Sequence, residues 1–210
     1  MYPDIAQILL AKQQGHPITH LVFMGMGEPL LNFDEVFGAI RHVCDETTFN
    51  FSKRKITVST SGILHGIKRL IDEDIVINLA FSVGHPNPEK RKVLMPIEER
   101  NPIFEISRLL STYNTLHNRK LTLEYTLLKG QNEDEETLIE LANLAKFLKA
   151  KVNLINLNPH PKIPHEPVSF NTLKRFQNGL KYQGVPVTVR VTKGQDIIAA
   201  CGQLGESLLS

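Results

Sequence analysis

Six short runs rich in β-branched and apolar residues punctuate the chain: Ile18–Met24, Lys55–Thr60, Ile75–Ser82, Leu121–Leu128, Val152–Leu157 and Val185–Val191. They lack clean polar alternation, which predicts strands that are mostly buried on both faces. Between them, apolar residues recur at i, i+3 and i+4. The sets are Phe33, Val36, Phe37, Ile40 and Val43, then Ile63, Ile67, Leu70 and Ile71, then Ile103, Ile106, Leu109 and Leu110. Leu138, Leu141, Leu144, Ala145 and Leu148 form a fourth, and Leu173, Phe176 and Leu180 a fifth. Each marks the apolar face of a helix packed on a sheet. Strand and helix in alternation imply an α/β fold with a parallel sheet and right-handed crossovers. The 210 residues allow about 35 per unit, too few for the eight units of a closed barrel of roughly 250 residues. A partial barrel or an open sheet is expected, as one domain over 1–210.

A chain of this length buries enough surface to need no disulfide or structural metal. With 24 basic and 22 acidic residues its net charge is +2, which by itself decides nothing about nucleic acid. No apolar run approaches the roughly 20 residues of a membrane span, and Met1 to Gln14 lacks the pattern of a secretory leader, so a cytoplasmic protein is expected. Of two cysteines, Cys44 falls among the apolar positions of a helix, and Cys201 lies between small residues. They supply too few thiolates for an iron–sulfur cluster. Helix boundaries are legible at Asn32 or Asp34, at the acidic cluster Glu133 to Glu136, and at Gly184 with Pro186.

Parallel sheets bind ligands at the C-terminal ends of their strands. The first strand runs into Gly25, Met26, Gly27, Glu28 and Pro29, where glycines let the backbone approach a ligand and Glu28 can receive an ammonium group. The second ends in Ser59, Thr60, Ser61 and Gly62, whose hydroxyls either cap the next helix or bond a ribose or carboxylate. The third ends at Ser82, before Val83, Gly84 and His85, a histidine expected to be exposed. The fifth leads to Asn158, an amide suited to a nucleobase or sugar, and then to His160 and His165, whose spacing is poor for a metal site. Cys201 stands where a large reactant can reach it, although a nucleophilic role requires activation of the thiol.

Four segments, HLVFMGMGEPLLNFDEV, KRKITVSTSGI, NLINLNPHP and TKGQDIIAACGQL, together resemble the RlmN/Cfr family of radical S-adenosylmethionine RNA (adenine) methyltransferases, in order and spacing from about Asp4 to Leu204. The resemblance implies a partial (β/α)6 barrel with S-adenosylmethionine across its strand ends. Gly27 and Glu28 would hold the methionine amino group, Ser59 and Ser82 the carboxylate or ribose, and Asn158 the nucleoside. Cys201 would carry the methyl group: one S-adenosylmethionine methylates it, and a second, cleaved at a [4Fe-4S] cluster to a 5′-deoxyadenosyl radical, activates that methyl for addition to adenine. The implied reaction is C2 methylation of adenine in large-subunit ribosomal RNA and transfer RNA, with a reducing partner such as flavodoxin.

The chain departs from the pattern in three places. The family's cluster cysteines, second catalytic cysteine, catalytic glutamate and RNA-binding domain correspond to positions upstream of Met1, so this polypeptide alone is expected to hold no cluster and to be inactive. The family's Ser-Leu-His-Ala is Ser82-Val83-Gly84-His85 here, which displaces the histidine. Val191 replaces a basic residue. Basic groups at Lys53–Lys55, Lys90–Lys92, Lys174–Arg175, Arg190 and Lys193 could meet RNA phosphates. The alternatives are a non-catalytic S-adenosylmethionine- or RNA-binding module, and a barrel lyase using Glu28 or Glu124 as acid–base group.

Overall fold

The computed structural model describes residues 3–25, 27–159 and 164–190. Six parallel strands, β1 (Leu21–Phe23), β2 (Ile56–Thr60), β3 (Asn78–Ser82), β4 (Leu121–Leu127), β5 (Lys151–Asn156) and β6 (Val187–Arg190), pair in chain order. All six fall within the runs read from the sequence, or within one residue of them. When every crossover steps the same way with one hand, the connecting helices lie on one face and the sheet curls around the other. Among the described residues β1 and β6 are its two edges, so the curl remains open.

The helices are α1 (Pro3–Gln13), α2 (Phe33–Cys44), α3 (Leu64–Asp72), α4 (Pro88–Leu94), α5 (Ile103–His117), α6 (Glu135–Phe147) and α7 (Phe170–Tyr182). Apart from α4, whose buried residue is Arg91, they contribute apolar residues to one continuous core against the sheet that includes Phe37, Ile67, Leu110, Leu141 and Phe176. Asp134 caps α6 by accepting the Thr137 N–H at 2.8 Å, and Gly184 follows α7 at φ +78°, both as the sequence implies. Asn32 occupies the capping position of α2 but its side chain makes no capping bond, while Asp34 pairs instead with Arg69 at 2.8 Å.

Only β3, where Leu79, Ala80 and Phe81 are all buried, is covered on both faces; the other strands are not. In β2, Ile56, Val58 and Thr60 are buried while Thr57 and Ser59 are half-exposed; in β4, Leu121, Leu123, Tyr125 and Leu127 alternate with half-exposed Thr122, Glu124 and Thr126. Threonine shares the β-branched shape of valine and isoleucine, so a threonine-lined inner wall blurs the polar alternation that normally betrays it. Strand register sets Ser82, Glu124, Asn153 and Thr188 in one row across that wall.

Candidate active site at the strand ends

A cavity of about 610 Å³ opens at the C-terminal rim of the curled sheet. Gly27, Glu28, Ser59, Ser82 and Asn158, contributed by the ends of four different strands, all line it. Cys201 and His160 lie outside the described residues. The volume is within the range of pockets that enclose a nucleotide-sized ligand, roughly 300–1,000 Å³.

Glu28 is held from two sides. The Leu30 N–H donates to Oε1 at 3.0 Å, and the Ser61 N–H and hydroxyl both donate to Oε2 at 2.7 Å. A carboxylate offers about four acceptor positions, so these three bonds leave capacity for one strong donor from the cavity. Gly27, at φ +93°, makes the left-handed turn that brings Glu28 to the rim. The Ser59–Gly62 hydroxyls do not cap α3: the Thr60 hydroxyl accepts the Gly62 N–H at 2.9 Å, and Leu64 N–H at the helix start donates to the Asn101 side chain at 2.9 Å.

Along the inner row of the sheet, Asn153 Nδ2 donates to both oxygens of Glu124, which lines the cavity, at 3.2 and 3.1 Å, and the Thr188 hydroxyl fixes the amide by donating to Asn153 Oδ1 at 2.9 Å. Burial raises the Glu124 carboxyl above its ordinary pKa, against the lowering effects of Asn153, Arg190 and Lys151. Arg190 reaches from β6 to the Met24 sulfur beyond β1 at 3.9 Å and lines the same cavity.

Two residues read as surface groups are interior. His85 is fully buried; its Nδ1 accepts the Asn87 N–H at 3.0 Å and Nε2 lies 3.3 Å from the Thr137 hydroxyl, so it is a neutral packing group rather than an exposed one. Arg91, in the supposed basic patch Lys90–Lys92, is also fully buried and ion-paired with Glu98, while both lysines are exposed. Periodicity gave no sign of Arg91, because α4 carries too few apolar residues to reveal which side faces inward.

The residues suit a ligand with an ammonium group, since Glu28 presents an oriented carboxylate with spare acceptor capacity beside the hydroxyls of Ser59 and Ser82. Among the described residues no three His, Cys, Asp or Glu converge as metal ligands. Cys44 is half-buried in α2, where burial pushes its thiol pKa up.

Residues 3–142 match the profile of the Radical SAM superfamily. The dual-specificity RNA methyltransferase RlmN of Marinomonas sp. is 44% identical over 189 residues, 89% of this chain and 51% of that protein. The RlmN of Pseudomonas fluorescens is 43% identical over 89% of this chain and 49% of its own length. The chain thus spans about half the length of these relatives. A crystal structure of a radical SAM methyltransferase from Sphaerobacter thermophilus is 40% identical and superposes with a TM-score of 0.88, covering 95% of this chain and 58% of that one. A domain of the pyruvate-formate lyase-activating enzyme from Bacteroides vulgatus, 16% identical, shares the fold at a TM-score of 0.60 over 83% of this chain and 100% of its own.

Proposed function

The chain belongs to the Radical SAM superfamily, and from that premise we propose that it forms the barrel core of a cytoplasmic RNA methyltransferase acting at C2 of adenine in large-subunit ribosomal RNA and transfer RNA. The observation that carries the reading is the convergence of Gly27, Glu28, Ser59, Ser82 and Asn158, far apart in the chain, on one cavity. S-adenosylmethionine would supply a methyl group on an electron-poor sulfonium sulfur. Glu28 would accept a hydrogen bond from its ammonium group, with Ser59 and Ser82 on the carboxylate or ribose and Asn158 on the nucleoside. Cys201 is assigned as methyl carrier on the ACGQL segment alone. Exposed Lys53, Arg54, Lys55, Lys174 and Arg175 offer phosphate contacts. The names of the relatives support RNA as substrate. No helix among the described residues is long and apolar enough to cross a membrane.

The test is nucleoside mass spectrometry of ribosomal and transfer RNA from cells with the gene deleted. Loss of 2-methyladenosine, restored by the wild-type gene and not by Cys201→Ala, is expected. Unchanged 2-methyladenosine, or loss of 8-methyladenosine instead, would refute the C2 assignment.

A further inference from the structure

The Glu28 carboxylate owes its orientation to Ser61, and Ser61 is itself held from behind. Arg91 is fully buried beneath it, and its guanidinium has four acceptors: Nη2 donates to the Ser61 carbonyl at 2.7 Å, Nε to the Val83 carbonyl at 2.8 Å, and Nη1 to the Glu98 carboxylate and, at 3.4 Å, to the Asn101 carbonyl. Glu98 is in turn fixed by the Ile103 N–H, 3.0 Å from each of its oxygens, at the start of α5. One planar cation therefore ties the loop after β2, the loop after β3 and the α5 terminus together. Only the fork of an arginine spans acceptors arranged this way.

The same region holds the loop a second time. Asn101 accepts the Leu64 N–H at 2.9 Å, while a Cβ on Gly62, at φ +98°, would lie 2.5 Å from Ile106. The Ser61 segment is thus clamped on both sides of its turn, and only its N–H and hydroxyl face Glu28. A buried ion pair is a weak source of stability, because desolvating both charges offsets most of their attraction. Its position points to another use. Glu98 neutralises Arg91, so the guanidinium holds Ser61 from behind without placing a net positive charge there, and Glu28 keeps acceptor capacity on its cavity side for a cationic ligand.

We infer that Arg91 and Glu98 are positioning residues that act through Ser61 to aim the Glu28 carboxylate at a ligand's ammonium group. The inference rests on the reading of the cavity as an S-adenosylmethionine site and extends it to residues that do not touch the ligand. Its signature is selectivity between two ligands. S-adenosylmethionine carries the ammonium group, whereas 5′-methylthioadenosine has the same nucleoside and no amino acid moiety. Loss of aim weakens the first and spares the second; a general loss of structure weakens both.

The experiment measures both affinities by calorimetry on the full-length protein, for wild type, Arg91→Lys, Glu98→Gln and Ser61→Ala. Each variant is expected to lose about tenfold or more in S-adenosylmethionine affinity, and less than twofold for methylthioadenosine. Ser61→Ala leaves the buried pair intact, so it tests the relay even where the other two fold poorly. Arg91→Lys combined with Ser61→Ala should lose little more than either alone, since both cut one path. Equal losses for the two ligands, or additive losses in the double variant, overturn the inference. Wild-type protein that does not prefer S-adenosylmethionine overturns the cofactor reading and the relay with it. A preference that survives in the variants overturns the relay alone.

Discussion

Glycine 66 offers a test in which helix propensity and packing pull in opposite directions. It sits on the buried face of α3, where alanine would ordinarily gain about 1 kcal/mol of helix stability. A Cβ built there meets Leu30 Cβ at 2.6 Å and the Leu30 carbonyl oxygen at 3.1 Å. Carbon atoms pack at roughly 3.5–4.0 Å, so α3 or the Leu30 backbone must move by about 1 Å. Overpacking of this kind costs about 1–3 kcal/mol, which outweighs the propensity gain. Gly66→Ala is therefore expected to lose about 1 kcal/mol net, a fall in Tm of about 2–4 °C. The displaced residue is the one whose N–H holds Glu28 Oε1, so S-adenosylmethionine affinity should fall with stability, by about tenfold. Thermal denaturation and calorimetry check both, with Lys68→Ala on the exposed side of the same helix as a neutral control. A Gly66→Ala protein with raised Tm and unaltered affinity would show that Leu30 is no rigid buttress, and the account of how Glu28 is held would be wrong.

Other perturbations isolate single contacts. Glu28→Gln has one carbonyl oxygen where the carboxylate has two, so its amide NH₂ must face either the Leu30 N–H or the Ser61 donors; at least tenfold weaker S-adenosylmethionine binding with unchanged methylthioadenosine binding is expected. Tyr113 accepts the buried Ile77 N–H at 2.9 Å, and burial pushes its phenol up to about 12, so it is neutral throughout the physiological range. Tyr113→Phe orphans that N–H and should cost about 1–3 kcal/mol in urea denaturation without affecting the cavity. His85 and Glu124 predict pH dependences of opposite sign. Burial holds the His85 pKa below its ordinary 6.5, so the unfolded chain takes up the proton first and stability falls as pH drops through that value. Burial raises Glu124 above its ordinary 4.5, so the folded state takes up the proton first and stability falls as pH rises through the window above that value. Urea midpoints across pH 4 to 8 should flatten in the acid limb for His85→Gln and in the window above 4.5 for Glu124→Gln; a Glu124→Gln profile identical to wild type removes the buried-carboxylate argument.

These expectations also show which parts of the molecule local sequence can reveal. Strand and helix positions were legible because each depends on residues a few places apart: the β-branched runs and the i, i+3, i+4 stripes survive almost unaltered in the sheet and its covering helices. The placing of Gly27, Glu28, Ser59, Ser82 and Asn158 around one cavity was legible for a related reason, since a glycine or polar residue at or just past the end of a strand already has its place in a parallel sheet. The polar inner wall was not, because Thr57, Thr122 and Thr126 look like strand formers whichever way they face. Arg91 was hidden more completely. It stands between two exposed lysines in a seven-residue helix, and its acceptors on Glu98, Val83 and Ser61 lie 7, 8 and 30 residues away. Its chemistry is set by those contacts, and no periodicity within α4 records them. Glu98 gives the complementary clue: two adjacent acids, Glu98 and Glu99, follow Pro96, yet only the first is buried. A charged residue withdrawn from water needs a partner, and in this chain the partner leads, through Ser61, to the carboxylate at the cavity rim.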